Sequence, residues 1–152
     1  MDEISFEKVH EIWQQVSGQK NTFGVLLAFN PLTERWLEGQ IDAKEIGELR
    51  FIGGAPGDRF TDLTNGLYTI KSLPRGINPD SDFKWDQTWR IICLEDPQMK
   101  TRVIIDGNGR ALQVFLQMRN GIISETSKFG IIVGELVQPF VFCAKAVTPL
   151  WK

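Results

Sequence analysis

Apolar and polar positions along this chain follow two different periods, and each change of period marks an element. Over residues 5–17 the apolar side chains Phe6, Val9, Ile12, Trp13 and Val16 recur three and four apart, which predicts an amphipathic helix. Ser5 stands where it can cap that helix, with Lys8 at the third helical position instead of the Glu of a capping box. Residues 18–21 read as a loop. Residues 22–29, almost wholly apolar and stopped by Asn30-Pro31, predict a strand. Residues 33–42 mix Trp36 and Leu37 with Glu34, Arg35, Glu38 and Asp42, and read as a short strand or an irregular turn.

Further along, residues 43–47 suggest a helical turn, and residues 48–52 and 67–72 suggest strands. Residues 73–86 form a polar connection rich in Pro, Gly, Asn and Asp. Residues 89–94 fit a central strand, and residues 129–137 and 140–147 are two more β-prone runs, with Gly134 as a candidate bulge. The two Gly-rich stretches differ. Residues 53–58 lack the lysine and following helix of a P-loop and read as a surface loop.

Residues 101–121 hold the other stretch. Val103, Ile104 and Ile105 form a continuous apolar run, as in strands covered on both faces. Asp106-Gly107-Asn108-Gly109 breaks the run, because two glycines permit positive φ and Asn and Asp favour turns and caps. From Arg110 a helical period sets in. Arg110, Gln113, Gln117 and Asn120 mark a polar face, Ala111, Leu112, Val114, Phe115, Leu116 and Met118 a wide apolar stripe, and Asn120-Gly121 a stop. The count is about seven or eight short strands and two helices, hence an α+β fold with a mixed sheet.

Length and composition bound the possibilities. The 152 residues suit one ordinary domain over positions 1–152. A hydrophobic content of 42% with 24% charged residues is that of a globular protein, and the net charge of -2 argues against a broad nucleic-acid footprint. No apolar run reaches the ~20 residues that span a bilayer. The acidic Met1-Asp2-Glu3 is no secretory signal, so the expected location is cytoplasmic. Cys93 and Cys143 sit in apolar, strand-like runs and read as buried free thiols. One histidine and no close-spaced cysteines exclude a structural zinc site and leave no Ser/His/Asp or Cys/His set. His10 itself lies at the edge of the first helix's apolar stripe with nothing nearby to orient it as a base.

The candidate chemistry is therefore at the strand-to-helix turn. Such a turn gathers unpaired backbone N–H groups and the positive end of a helix dipole at one spot. Gly107 and Gly109 let a ligand approach that backbone, Asn108 lies between them, and Arg110 adds a permanent cation with forked donors. Asp106 would cap the turn or meet a metal. In the bland alternative, Asp106 and Asn108 simply cap a structural helix.

Asp106-Gly107-Asn108-Gly109-Arg110-Ala111, set between an apolar strand and an apolar helix, resembles the D/E-G-x-H-R-x-x-A type signature of the ParB/sulfiredoxin-like superfamily. The apolar run from Phe129 follows at about the distance at which that superfamily places its next strand. The resemblance covers roughly residues 89–137. It implies a nucleotide, ATP or CTP with Mg²⁺, whose phosphates sit at the turn and helix start. It also implies relatives as different as partition proteins, sulfinic acid reductases and small-molecule kinases. The chain departs from the signature at two points: Gly109 stands where many relatives have His, and Asn108 where sulfiredoxins carry their catalytic Cys. The second departure argues against sulfinic acid reduction by that route. The first removes a donor, leaving open a relative that keeps the fold without the chemistry.

Three functions follow in order. The first is binding of a nucleotide or other phosphate ligand at Asp106, Gly107, Asn108, Gly109 and Arg110, with Asp80, Asp82 and Asp86 as candidate carboxylates toward Mg²⁺ and Glu135 or Asp82 as a carboxylate for Mg²⁺ or for a base, should transfer occur. The second is a regulatory protein–protein interaction domain, for which five tryptophans and ten phenylalanines allow an aromatic patch. The third is nucleic-acid binding, should Arg90, Lys100, Arg102, Arg119 and Lys128 cluster beside the turn.

Overall fold

In the computed structural model, residues 1–17, 23–50, 69–72 and 76–138 are described. The expectations for residues 18–21, 53–58, 67–68 and 140–147 and for Cys143 lie outside them, as do Phe51 and Ile52. The elements are β1 (Asp2–Ile4), α1 (Phe6–Ser17), α2 (Phe23–Phe29), β2 (Thr33–Asp42), α3 (Ala43–Ile46), β3 (Ile91–Glu95), β4 (Arg102–Asp106), α4 (Asn108–Arg119) and β5 (Lys128–Leu136). The strands form one sheet in the order β1-β2-β5-β3-β4. β3 runs parallel to β5 and every other neighbour is antiparallel. The expected α+β class with a mixed sheet is what the chain adopts, with five strands among the described residues.

Alternation along the strands divides the core in two. Ile91 and Cys93 of β3, Ile104 of β4 and Ile131 and Val133 of β5 face α3 and α4. Their neighbours Ile92, Leu94, Val103, Ile105 and Ile132 face α1 and α2, where Val9, Ile12, Trp13, Leu26 and Phe29 meet them. β3, apolar from Ile91 to Leu94, therefore sits between two layers, and all five of its residues, Glu95 included, are buried.

Several expectations need correction. The apolar run expected as a strand is helix α2, with Leu26 and Phe29, three apart, turned inward and Leu27 48% exposed. A short unbroken apolar run carries no period of its own, so packing on the sheet decided its form. Residues 33–42, read as a short strand or turn, are a ten-residue strand paired on both sides. β1 was not expected at all and exists only because β2 offers it an edge. The expected strand at 48–52 reduces, among its described residues, to Arg50, which bridges Thr69 and Val103. The run at 67–72 ends as a 3-10 turn over Ile70–Ser72. Gly134 is no bulge. It lies in register opposite Trp36, and a Cβ there would come within 2.6 Å of the indole ring, so glycine makes room for the tryptophan.

Two expectations close on detail. Ser5 caps α1, its Oγ accepting from the Lys8 N–H at 3.2 Å. Cys93 is a buried free thiol, and desolvation pushes its pKa up to about 12.

Candidate functional site

β4 ends at Asp106 and α4 begins at Asn108, two residues earlier than the expected onset at Arg110. Gly107 alone makes the turn. It is the N-cap, at φ 100° and ψ 21°, a left-handed conformation open to glycine and costly for other L-residues. Its carbonyl accepts the Ala111 N–H at 2.9 Å, the first bond of the helix ladder. The N-cap is a glycine with no side chain to offer, so neither Asp106 nor Asn108 occupies the N-cap position of α4. Gly109 lies inside the first turn, exposed, and a Cβ there would meet no heavy atom within 4 Å.

Asp106 and Arg110, four apart, pair with each other instead. Arg110 Nη2 donates to Asp106 Oδ2 at 3.1 Å and to the backbone carbonyl of Arg90 at 3.2 Å. The guanidinium lies over the Trp89 ring, 5.7 Å from its centroid. The two side chains are 16% and 13% exposed. Burial raises the Asp106 carboxyl above the usual carboxylate range, and the charge and hydrogen bond of Arg110 pull it back only in part. Gly107 also clears space for this pair, since its Cβ would stand 2.9 Å from Arg110 Nη2. Arg110 thus spends one nitrogen on holding the turn together, a use that the sequence reading, which gave the whole fork to a ligand, did not foresee.

The residues beside the turn, Trp89 and Arg90, precede β3, which starts two residues later than the expected strand at 89–94, and they continue the connection expected over residues 73–86. Residues 76–90 are tied to α4 by its polar face. Gln113 Oε1 accepts the Asp80 N–H at 2.7 Å, and Gln117 Nε2 donates to the carbonyls of Phe83 and Asp80 at 2.9 and 3.4 Å. Trp85 stands edge-on to both Trp89 and Phe129. The available signal was the pair Gln113 and Gln117 on one helical face, with Trp85 and Trp89 in the segment that they fasten.

The other candidates disperse. Asp80 Oδ1 accepts the Asp82 N–H at 3.0 Å, and Asp86 Oδ1 accepts the Thr88 N–H and hydroxyl at 2.8 and 2.6 Å, as loop acceptors do. Glu135 pairs with Arg35 and lies level with Glu95, toward the far end of the sheet from Asp106. The basic residues do not cluster at the turn. Arg90 lies beside it, but Lys100 and Arg102 are at the other end of β4, Arg119 is at the other end of α4 against Phe115, and Lys128 faces Asp42. Among the described residues no group of three His, Cys, Asp or Glu side chains is placed to hold a metal ion. His10 belongs to α1, on the opposite face of the sheet from α4.

A cleft of about 500 Å³ opens near that other end of β4, between α3, the Arg50–Thr69 bridge and the corner at Lys100–Arg102. Of the charged residues that line it, Arg102 pairs with Glu95 at 2.9 Å, and Glu48 with Lys71 at 2.6 Å. Compared with protein families, curated proteins and solved structures, the chain matches none.

Proposed function

We propose that the first turn of α4 binds an anionic small molecule through its phosphate, with a nucleotide as the ligand class and Gly107, Asn108, Gly109 and Arg110 around the anion. The observation that carries this reading is a twelve-residue helix that starts on a glycine N-cap and has a second, exposed glycine in its first turn. The positive end of a helix dipole attracts negative charge, and an absent Cβ lets an oxygen approach the backbone there. Arg110 contributes differently from the first expectation. Its charge is already opposed by Asp106, so it forms a wall of the site and the backbone supplies the principal donors. Trp89, beneath the guanidinium, adds an aromatic surface to the same corner. The reading is one of binding and includes no transfer step.

The test is a thermal-shift series with ATP, CTP and ADP, each with and without Mg²⁺. Ligand at about 100 times Kd adds about 2.7 kcal/mol to the folded state, a rise of several degrees for a chain of this size. A melting temperature unmoved by all three at millimolar concentration removes the proposal.

A further inference from the structure

Arg90 occupies an unusual place, because its side chain and its backbone work on opposite faces of the sheet. It precedes β3 and lies beside Gly130 of β5, one step before the register pair Ile91 and Ile131. A Cβ on Gly130 would fall 2.4 Å from Arg90 Cδ and 2.7 Å from its Nε, so the side chain runs across the bare backbone of that glycine. Beyond it, Nε comes within 3.8 Å of Glu38 Oε2 on β2. Nη1 bends back to donate to the carbonyls of Gln87 and Trp89 at 2.9 and 2.8 Å. The guanidinium therefore staples its own approach segment. That segment presents the Trp89 ring and the Arg90 carbonyl to Arg110.

We propose that Arg90, seated over Gly130 and steadied by Glu38, is a positioning residue that holds Arg110 against the start of α4. The inference rests on the anion-binding reading above for its consequence, though not for its geometry. Among the supports of Arg110 are Asp106, the carbonyl of Arg90 and the face of Trp89. The last two belong to the segment that the Arg90 side chain fastens. If that side chain is displaced, the segment loses two internal hydrogen bonds, and Arg110 loses the fixed carbonyl and ring that set its direction. Asp106 then faces a less well-placed cation. The charged groups around the network are Glu38 and Arg90 on one face and Asp106 and Arg110 on the other, with Asp2 and Lys128 bordering the recess of about 200 Å³ beside Arg90.

Gly130→Ala is the direct test, because Gly130 does not adopt a positive φ and the three heavy atoms nearest the added methyl all belong to the outer part of the Arg90 side chain. Arg90→Ala is the second variant, and Gly134→Ala is the control, a crowded glycine on the same strand that presses on Trp36 instead. The readouts are the carboxyl ¹³C titration of Asp106 in the full-length protein and the affinity for ATP with Mg²⁺. In Gly130→Ala and Arg90→Ala, Asp106 should titrate at higher pH than in the wild type, and ATP should bind about five-fold more weakly, the equivalent of one ordinary hydrogen bond. Gly134→Ala should leave the Asp106 titration where it was. An unchanged titration in Gly130→Ala overturns the proposal, and so does an equal shift in Gly134→Ala, which would mean general loosening. If Arg90→Ala does not fold, Gly130→Ala decides alone. If the wild type binds no ATP, the anion-binding reading falls, and the Asp106 titration still decides the role of Arg90.

Discussion

Asp106 holds a carboxylate where burial opposes charge, and its partner Arg110 offsets that cost only partly. A carboxyl whose folded pKa lies above its unfolded value favours folding most strongly below the unfolded value, and loses that contribution as pH rises through the folded one. The window therefore opens near the ordinary value of 3.8 and extends upward. Urea unfolding of wild type and Asp106→Asn across pH 3 to 7 checks this: the wild type should gain on the variant toward the acid end, whereas a normally ion-paired aspartate gives the opposite slope. Gly109 makes a second case at this scale. In a helical first turn with open space around it, Gly109→Ala should stabilise the unliganded protein by about 0.5–1 kcal/mol, because the unfolded chain loses freedom and the folded one meets no clash. The same methyl stands where the anion would approach, so the ATP-induced rise in melting temperature should shrink. An undiminished rise would place the anion elsewhere.

At the scale of elements, α4 does two jobs with its two faces. Ala111, Leu112, Val114, Phe115 and Leu116 close the core over the sheet. Gln113 and Gln117 fasten residues 76–90 through backbone groups. Gln117 is 7% exposed, so its amide is buried and has to be satisfied. Gln117→Leu would leave the carbonyls of Asp80 and Phe83 without that donor, at a cost of about 1–3 kcal/mol by the usual penalty for buried unpaired groups. Hydrogen exchange should rise first in residues 76–90, before any change in β3 or β5. Simultaneous loss of protection throughout would mean that the segment is held by its aromatic packing and not by the glutamine. The helical polar face was readable in the sequence, but its task was not, since the groups it bonds lie more than thirty residues away in the chain.

For the whole molecule, the organising fact is one sheet with a core on each side. Ile131 and Ile132 are adjacent in β5 and fully buried, yet they face different layers. Truncating either to alanine should cost about 2–5 kcal/mol. Because both cores share the strand, each variant should show a single unfolding transition at lower denaturant, with the same slope as the wild type. A second transition in only one of them would show that the α1–α2 layer unfolds separately. Cys93, sealed in the same sheet with its thiol pushed up to about 12, should resist modification by thiol reagents until global unfolding.

Features that depend on neighbours in the chain are legible in the order of residues alone. The amphipathic period of α1, its Ser5 cap, the apolar runs of β3, β4 and β5, the strand–Gly–helix break at Asp106 to Gly109 and the stop at Asn120-Gly121 are all local, because dihedral limits and side-chain periods act over a few residues. Only the tertiary structure decided what depends on distant partners. It made a helix of the apolar run before Asn30, because Leu26 and Phe29 meet a sheet assembled mostly from later residues. It gave residues 33–42 two flanking strands and turned Gly134 into a seat for Trp36. It also drew Arg110 into a bond with the carbonyl of Arg90, twenty residues earlier in the chain. A guanidinium takes whichever acceptors the fold brings within about 3 Å, and no local pattern specifies which those are.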